Sequence, residues 1–357
     1  MIDCHAHVYP HLWEHFGLPA TASEQASWRR ILTHWALDRA EARARQVQQR
    51  VTRRAAASVL TVQGLARLRR NRAWVGRVAS DALLNVAGLP AIAVEGTTDG
   101  LAQSMARSGL SRVVVIAAPP VATNEWLLDL VRRQSDSSRL IPVAMTPELV
   151  EDHDEKEWIA RYEALADGGA RGFKIHPNME GRSASHGVYR AMFQVAKERN
   201  LFVILHTGQF WVAAYQHLNP ADANDFESLF SAFPSVKVCL AHLNRDAPQG
   251  VWALMRRYDQ LYADTSWQSA RGIRATRDAV GVERLLLGSD WPFLGADMQR
   301  ESVQLLASAV SSQDFERITL GNALEFLGEG EGKGVPAGTS GRAATSQGAA
   351  RSQRVLG

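Results

Sequence analysis

ARGFKIHP (170–177), LFVILHTG (201–208), VKVCLAHL (236–243), QLYADTSW (260–267) and RLLLGSDWPF (284–293) follow one another through the second half of the chain. Each opens as an aliphatic or β-branched run and stops at a polar residue: His176, His206, His242, Asp264 and Asp290. Helical patterns separate most of them, over 157–166, 187–199, 225–233 and 250–258. Working outward, IDCHAH (2–7), SRVVVIAAPP (111–120) and RLIPVAMTPE (139–148) add three more runs. Strands alternating with helices imply an α/β fold with a parallel sheet. Eight such repeats predict a closed (β/α)8 TIM barrel. The near-continuous Val, Ile and Leu content suits strands buried on both faces.

Two stretches exceed a minimal barrel. Residues 22–87 follow the first strand without a strand of their own. Trp28, Ile31, Leu32 and Trp35 fall on one helical face, and Val59, Val62, Leu65 and Leu68 make a looser second stripe. This predicts a helical insertion after the first strand. The tail, 328–357, is rich in Gly, Ala, Ser and Thr without periodicity, and is expected to be disordered. Removing both leaves about 260 residues, close to the usual barrel length of about 250. One domain is therefore expected over 1–327, insertion included.

The 357 residues are 46% hydrophobic and 22% charged, the composition of an ordinary soluble globular protein. Residues 29–77 carry 13 Arg against two acids, although the whole chain nets only +3. A solvated helical face, a lid, a subunit contact within a homo-oligomer, or a surface for an anionic partner all fit that bias. Nucleic acid is not expected, because aromatic interleaving is limited to Trp28, Trp35 and Trp74. Two cysteines make no disulfide framework, no secretory leader is expected from MIDCHAHVYP (1–10), and no apolar run nears membrane length. A cytoplasmic location is expected.

The first strand carries the sharpest local pattern. Strand alternation places Asp3, His5 and His7 on one face, and Cys4 and Ala6 on the other. Two imidazoles so spaced can converge on one cation, with Asp3 supporting one of them. Cys4 and Cys239 are expected to face the helices. Alternating histidines at one strand end do not by themselves require a metal. Several further strands each presenting His or Asp where the apolar run stops are harder to explain by packing. A divalent ion would compensate those buried groups together. Nitrogen and oxygen ligands without thiolate suit Zn²⁺ first, with Mn²⁺ or Fe²⁺ fitting the same donors.

Together DCHAH (3–7), GFKIHP (172–177), LHTG (205–208), AHL (241–243), GSDWPF (288–293) and GNALEFL (321–327) resemble the amidohydrolase superfamily. The resemblance lies within its amidohydrolase-related branch, which includes aminocarboxymuconate-semialdehyde decarboxylase. It implies one divalent metal held by His5, His7, His206 and Asp290, with His242 and Asp290 catalytic. Lys174 is carboxylated in some binuclear relatives' equivalent; here a mononuclear site is preferred. Asp3, Lys174, His176, Arg245, Trp267 and Trp291 are candidates for supporting the ligands or contacting substrate. Asn178, Gln209, Trp211 and Asn244 also follow strand ends.

The function implied is a metal-dependent hydrolase, in which a metal-activated water attacks an amide, lactone or similar carbon centre of a small molecule. Asp290 would move the proton and His242 would hold the water or polarise the carbonyl. The alternative is non-oxidative decarboxylation of a small unsaturated carboxylic acid. Decarboxylating relatives commonly place Pro after the fifth-strand His, whereas Thr207 follows His206 here. A TatD-type nuclease lacks its fourth-strand Glu in this chain, and a non-catalytic binding barrel has no need of the full ligand set.

Overall fold

A computed structural model describes residues 1–11, 14, 36, 37, 39–47, 92, 94–147, 154–208, 222–245 and 247–330. Most of the insertion at 22–87 and the tail beyond Gly330 lie outside the described residues, as do Gln209 and Trp211. Of the insertion, 36, 37 and 39–47 are helical.

Eight strands run in sequence order in one parallel sheet. They are β1 (Ile2–His7), β2 (Arg112–Ile116), β3 (Leu140–Met145), β4 (Gly172–Ile175), β5 (Phe202–His206), β6 (Val238–Ala241), β7 (Leu261–Asp264) and β8 (Leu285–Leu286). The sheet closes on itself. Cys4 N donates to Leu287 O at 2.8 Å, Asp290 N to His5 O at 2.8 Å, and His7 N to Trp291 O at 2.8 Å. This is the predicted barrel.

The connecting helices begin where side-chain caps dictate. Thr97 accepts from Gly100 N ahead of α1 (Thr98–Ser108), Thr123 from Trp126 N ahead of α2 (Asn124–Arg133), and Asp154 from Glu157 N ahead of α3 (Glu155–Asp167). Each cap satisfies an amide that the first helical turn leaves unpaired. Then come α4 (Gly187–Glu198), α5 (Glu227–Ala232), α6 (Gln249–Arg257), α7 (Ala270–Val280), α8 (Met298–Ala309) and α9 (Asn322–Phe326). No helix among the described residues is long and apolar enough to cross a membrane.

Strand alternation divides the core in two. Val113, Val115, Phe173, Val203, Leu205, Val238, Leu240 and Leu261 pack outward against the helices. Ile2, Cys4, Val114, Ile116, Ile141, Val143, Phe202, Ile204, Cys239, Tyr262 and Leu286 fill the barrel interior. Phe326 of α9 closes the amino-terminal end, its ring 4.7 Å from that of Phe202 and 5.2 Å from that of Tyr262. The interior is thus apolar at one end, leaving polar residues to the carboxyl-terminal rim.

Strict alternation fails in two places. In β1, Asp3 pairs with Val113 and Ala6 with Val115, so one extra residue sits in β1. That bulge lets Cys4 and His5 both turn inward, while Asp3 turns outward. The expectation that Asp3, His5 and His7 share a face is therefore corrected for Asp3. The expectation that the cysteines face the helices is corrected as well: Cys4 and Cys239 belong to the interior cluster. After β6, His242 has φ 65°, which turns a side chain inward that alternation would send out.

Candidate metal centre

Each element delivers its polar residue to the same rim. His5 and His7 come from the end of β1, Lys174 and His176 from β4, His206 from β5, His242 from the turn after β6, Asp264 from β7, and Asp290 from the loop after β8. All are buried except His7, which is partly so.

His5, His7 and Asp290 each offer a ligand atom within 4.8 Å of the others. Asp290 Oδ1 lies 3.4 Å from His5 Nε2 and 3.3 Å from His7 Nε2. The opposite nitrogens of both rings are already committed. His5 Nδ1 donates to Asp264 Oδ2 at 2.8 Å, and His7 Nδ1 to the carbonyl of Ile116 at 3.1 Å. Neutral imidazoles fixed this way present lone pairs at Nε2. Two lone pairs and a buried carboxylate oxygen that accepts no hydrogen bond then face one another. Three acceptors converging on a point repel unless positive charge lies between them. Lys174 Nζ, 3.4 Å from His5 Nε2, meets only the His5 corner, so the donor set still fits a divalent ion.

A second trio, His5, His242 and Asp264, also lies within 4.8 Å. It reads differently, because Asp264 is saturated with donors. Its Oδ1 accepts from His242 N at 3.1 Å, from Ser266 N at 3.0 Å and from the Ser266 hydroxyl. Its Oδ2 accepts from His5 and, at 3.7 Å, from the Cys239 thiol. Asp264 therefore orients His5 instead of holding an ion.

His206 enters neither trio. Its Nδ1 lies 3.1 Å from His242 Nε2, and its ring stacks on His176 at 3.9 Å between centroids. The ring of His242 stacks on His5 at 4.8 Å. His242 Nδ1 contacts Ser266 Oγ at 2.6 Å. Lys174 Nζ lies 3.4 Å from His5 Nε2, a buried amine beside the cluster.

Burial disfavours every charge here, and the partners decide which groups keep one. Burial pushes Asp264 and Asp290 up, but neighbouring histidines more than offset it and both carboxyls fall below their usual range. Burial lowers His7, and lowers His176 and His206 far below the ordinary imidazole value. It brings His242 down to about 3 and lowers Lys174. The rim thus favours ionised carboxylates and disfavours protonated imidazoles at His7, His176, His206 and His242, the direction metal ligands need.

The remaining candidates take different places. Trp267 donates its indole N–H to Asp290 Oδ2 at 2.5 Å and carries the Arg245 guanidinium 4.8 Å from its ring centroid. Both therefore stand at the site. Asp3 does not touch an imidazole. It accepts from Ser289 Oγ at 2.5 Å, Ser289 N at 3.0 Å and Gln299 Nε2 at 2.9 Å, tying β1 to the β8 loop and to α8. Burial raises its carboxyl to about 6. Trp291 is fully buried in the outer core and packs there instead of lining the site, because the same turn that aims Asp290 inward sends its neighbour outward.

Several contributors carry no strong sequence signal. Thr207 Oγ1 donates to Ala241 O at 2.5 Å and accepts from Asn244 N at 2.9 Å. Gln268 Nε2 donates to His242 O at 2.7 Å. Together they brace a turn in which His242, Leu243, Asn244 and Arg245 all have positive φ. Glu180 accepts from His176 N at 2.7 Å and from Thr146 Oγ1 at 2.9 Å. Ser266 was legible only as the second residue past a strand-end Asp.

Comparison with known proteins agrees with this architecture. Among solved structures, an uncharacterised TIM-barrel protein from Bordetella bronchiseptica aligns at TM-score 0.54 and 16% identity, covering 66% of this chain and 84% of that one. A dihydroxybenzoic acid decarboxylase from Polaromonas sp. JS666, with bound manganese and 2-nitroresorcinol, aligns at 0.52 and 16%, covering 70% and 93%. An IDCase from Metarhizium anisopliae aligns at 0.51 and 18%, covering 66% and 80%. These likenesses establish the shared barrel. A family model described as amidohydrolase matches residues 2–328, nearly the whole chain. The chain belongs to the amidohydrolase family.

Proposed function

We propose that the protein is a metal-dependent hydrolase acting on an amide, lactone or similar carbon centre of a small molecule. The observation that carries this reading is the convergence of His5 Nε2, His7 Nε2 and Asp290 Oδ1 as mutually facing acceptors. His5, His7 and Asp290 would hold the ion, with His206 the further ligand that the family resemblance implies. The bound ion would supply a Lewis acid that acidifies water and polarises a carbonyl. Zn²⁺ suits the donors, and the manganese of the Polaromonas enzyme supports Mn²⁺ as an occupant.

The protein's own groups supply the proton handling. Asp290 is ionised, and Trp267 fixes Oδ2 through one hydrogen bond. A carboxylate oxygen has a second lone pair, so Oδ2 can take the proton of an attacking water and return it to the leaving group. His242 is turned inward, stacked on His5 and 3.1 Å from His206, where it would hold the attacking water or the substrate carbonyl in place. Lys174 adds a buried amine beside His5, placed to donate a hydrogen bond to an electron-rich substrate group.

Decarboxylation is the second reading, favoured by Lys174 as a partner for a substrate carboxylate and by the fold shared with the Polaromonas decarboxylase. That reaction begins by protonating carbon. Thr207 stands after His206, where decarboxylating relatives commonly place Pro, which ranks hydrolysis first. The Zn²⁺- or Mn²⁺-loaded protein should be assayed against lactones, amides, and unsaturated or aromatic carboxylic acids. Hydrolysis that disappears in Asp290→Asn is expected. CO₂ release without any hydrolysis would replace this reading with the lyase.

A further inference from the structure

We propose that Ser266 is a positioning residue that dictates which nitrogen of His242 carries the proton. Through Asp264, it ties that choice to the same carboxylate that aims His5. The inference rests on the proposed metal-dependent chemistry for its consequence, and on hydrogen-bond geometry alone for its substance.

Proton counting leads from one end of the chain of contacts to the other. The Asp264 carboxylate is a pure acceptor, and Ser266 presents both its amide and its hydroxyl to Oδ1. The hydroxyl has one proton, and that proton lies on Asp264. Ser266 Oγ therefore has only lone pairs left for His242 Nδ1, 2.6 Å away. Nδ1 must be the donor, so the proton of a neutral His242 sits there and Nε2 presents a lone pair. That lone pair is met by His206 Nδ1 at 3.1 Å, which must in turn be an N–H. His206 is left with its lone pair at Nε2, the form a metal ligand requires. One carboxylate thus orients His5 directly at 2.8 Å, and orients His242 and then His206 through a hydroxyl.

The surroundings make the arrangement hard to replace. Asp264 and Ser266 are almost completely buried, so water does not readily substitute for the hydroxyl. The backbone amides of His242 and Ser266 both donate to the same oxygen, which locks the β6 turn to the β7 end. Gln268 holds the His242 carbonyl from the other side. Removing the hydroxyl leaves these backbone bonds intact and takes away only the acceptor for Nδ1. The ring is then free to place its proton on Nε2, where it opposes the His206 N–H.

The test is nitrogen-15 NMR of histidine-labelled, metal-free protein, with the His242 signals assigned by their absence in His242→Asn. Wild type should show His242 protonated at Nδ1. Ser266→Ala should show a mixed or reversed tautomer, and Ser266→Thr should restore the wild-type pattern. With Zn²⁺, Asp264→Asn should lose about 10–100-fold in affinity, as orienting partners of metal-bound histidines do, and Ser266→Ala should lose less, because it reaches His206 only through His242. In the loaded enzyme, Ser266→Ala should lower kcat about tenfold or more with KM little changed. An unchanged tautomer in Ser266→Ala, or a wild-type His242 protonated at Nε2, overturns the inference. Should Ser266→Ala fail to fold, the wild-type tautomer and the Ser266→Thr spectrum decide it alone. If wild type binds no Zn²⁺, the proposed function fails, while the tautomer measurement still judges Ser266.

Discussion

At the scale of single residues, the site is a set of decisions about where protons reside. His5 and His7 become ligand-like because Asp264 and the Ile116 carbonyl claim their Nδ1 protons. In the proposed mechanism Asp290 would act as a directed base, because Trp267 claims one lone pair of Oδ2. His242 has a different task from the ligands, and His242→Asn separates the two. Zn²⁺ affinity should stay within about threefold of wild type, because His242 lies outside the His5, His7 and Asp290 trio and the Asn carboxamide oxygen can accept from His206 in its place. Turnover should fall about 10²–10⁴-fold, the usual contribution of a positioned acid or base. Isothermal titration alongside steady-state kinetics checks both halves, and full turnover in that variant would remove His242 from the mechanism.

The residues that sequence disclosed are those at strand ends, since an apolar run stopping at His or Asp is visible in one dimension. His5, His7, His206, His242 and Asp290 were all legible in that way. Asp3 was misread because a bulge inserts one residue into β1, and nothing in IDCHAH announces it. Ser266 and Gln268 were missed because their role depends on which way the β6 turn faces them. Trp291 was misassigned for the same kind of reason. Asp290 has φ 57°, so the residue after it points away from the rim.

At the scale of elements, the barrel separates stability from chemistry. Apolar side chains fill the amino-terminal end and the outer layer, and polar ones gather at the opposite rim. Four consecutive residues of positive φ after β6 are a costly backbone, of order 1–3 kcal/mol each for non-glycine residues. Thr207, Gln268 and Asp264 offset that cost with hydrogen bonds from β5 and β7. The amino-terminal plug belongs wholly to the stability side. Phe326→Ala should destabilise the fold by about 3–5 kcal/mol by opening a cavity under Phe202 and Tyr262. Urea denaturation measures the loss. The surviving folded protein should bind Zn²⁺ as wild type does, and a matching loss of metal affinity would contradict the separation.

The whole molecule inherits its acid sensitivity from the same cluster. His7, His176, His206 and His242 all have folded-state values below 6.5, lowered first by burial, with His242 at about 3. In the unfolded chain these groups protonate near 6.5. Below that pH these four groups bind more protons in the unfolded state. Asp3 and Glu301, raised by burial to about 6 and about 7, pull the other way, but the four histidines outnumber them, so stability falls as pH falls. His242 alone contributes about 1.4 kcal/mol per pH unit between its two values. Metal-free protein should therefore melt at a lower temperature at pH 5 than at pH 7.5, by calorimetry. Equal melting temperatures would show the histidines to be more solvated than the packed rim implies. The alternation of strand and helix, and hence the barrel, was readable from end to end because eight repeats average out local ambiguity. Of the insertion expected after β1, only 36, 37 and 39–47 lie within the described residues, where they are helical, and an amphipathic stripe does not say which surface it covers.

Elemental analysis of the purified protein tests the central claim most directly. After dialysis in excess Zn²⁺ or Mn²⁺ and removal of free ion, about one divalent ion per chain is expected. His5→Ala and Asp290→Asn, folded by circular dichroism, should hold almost none. A folded wild-type chain with less than about a tenth of an equivalent, or variants that retain the ion in full, would contradict the account.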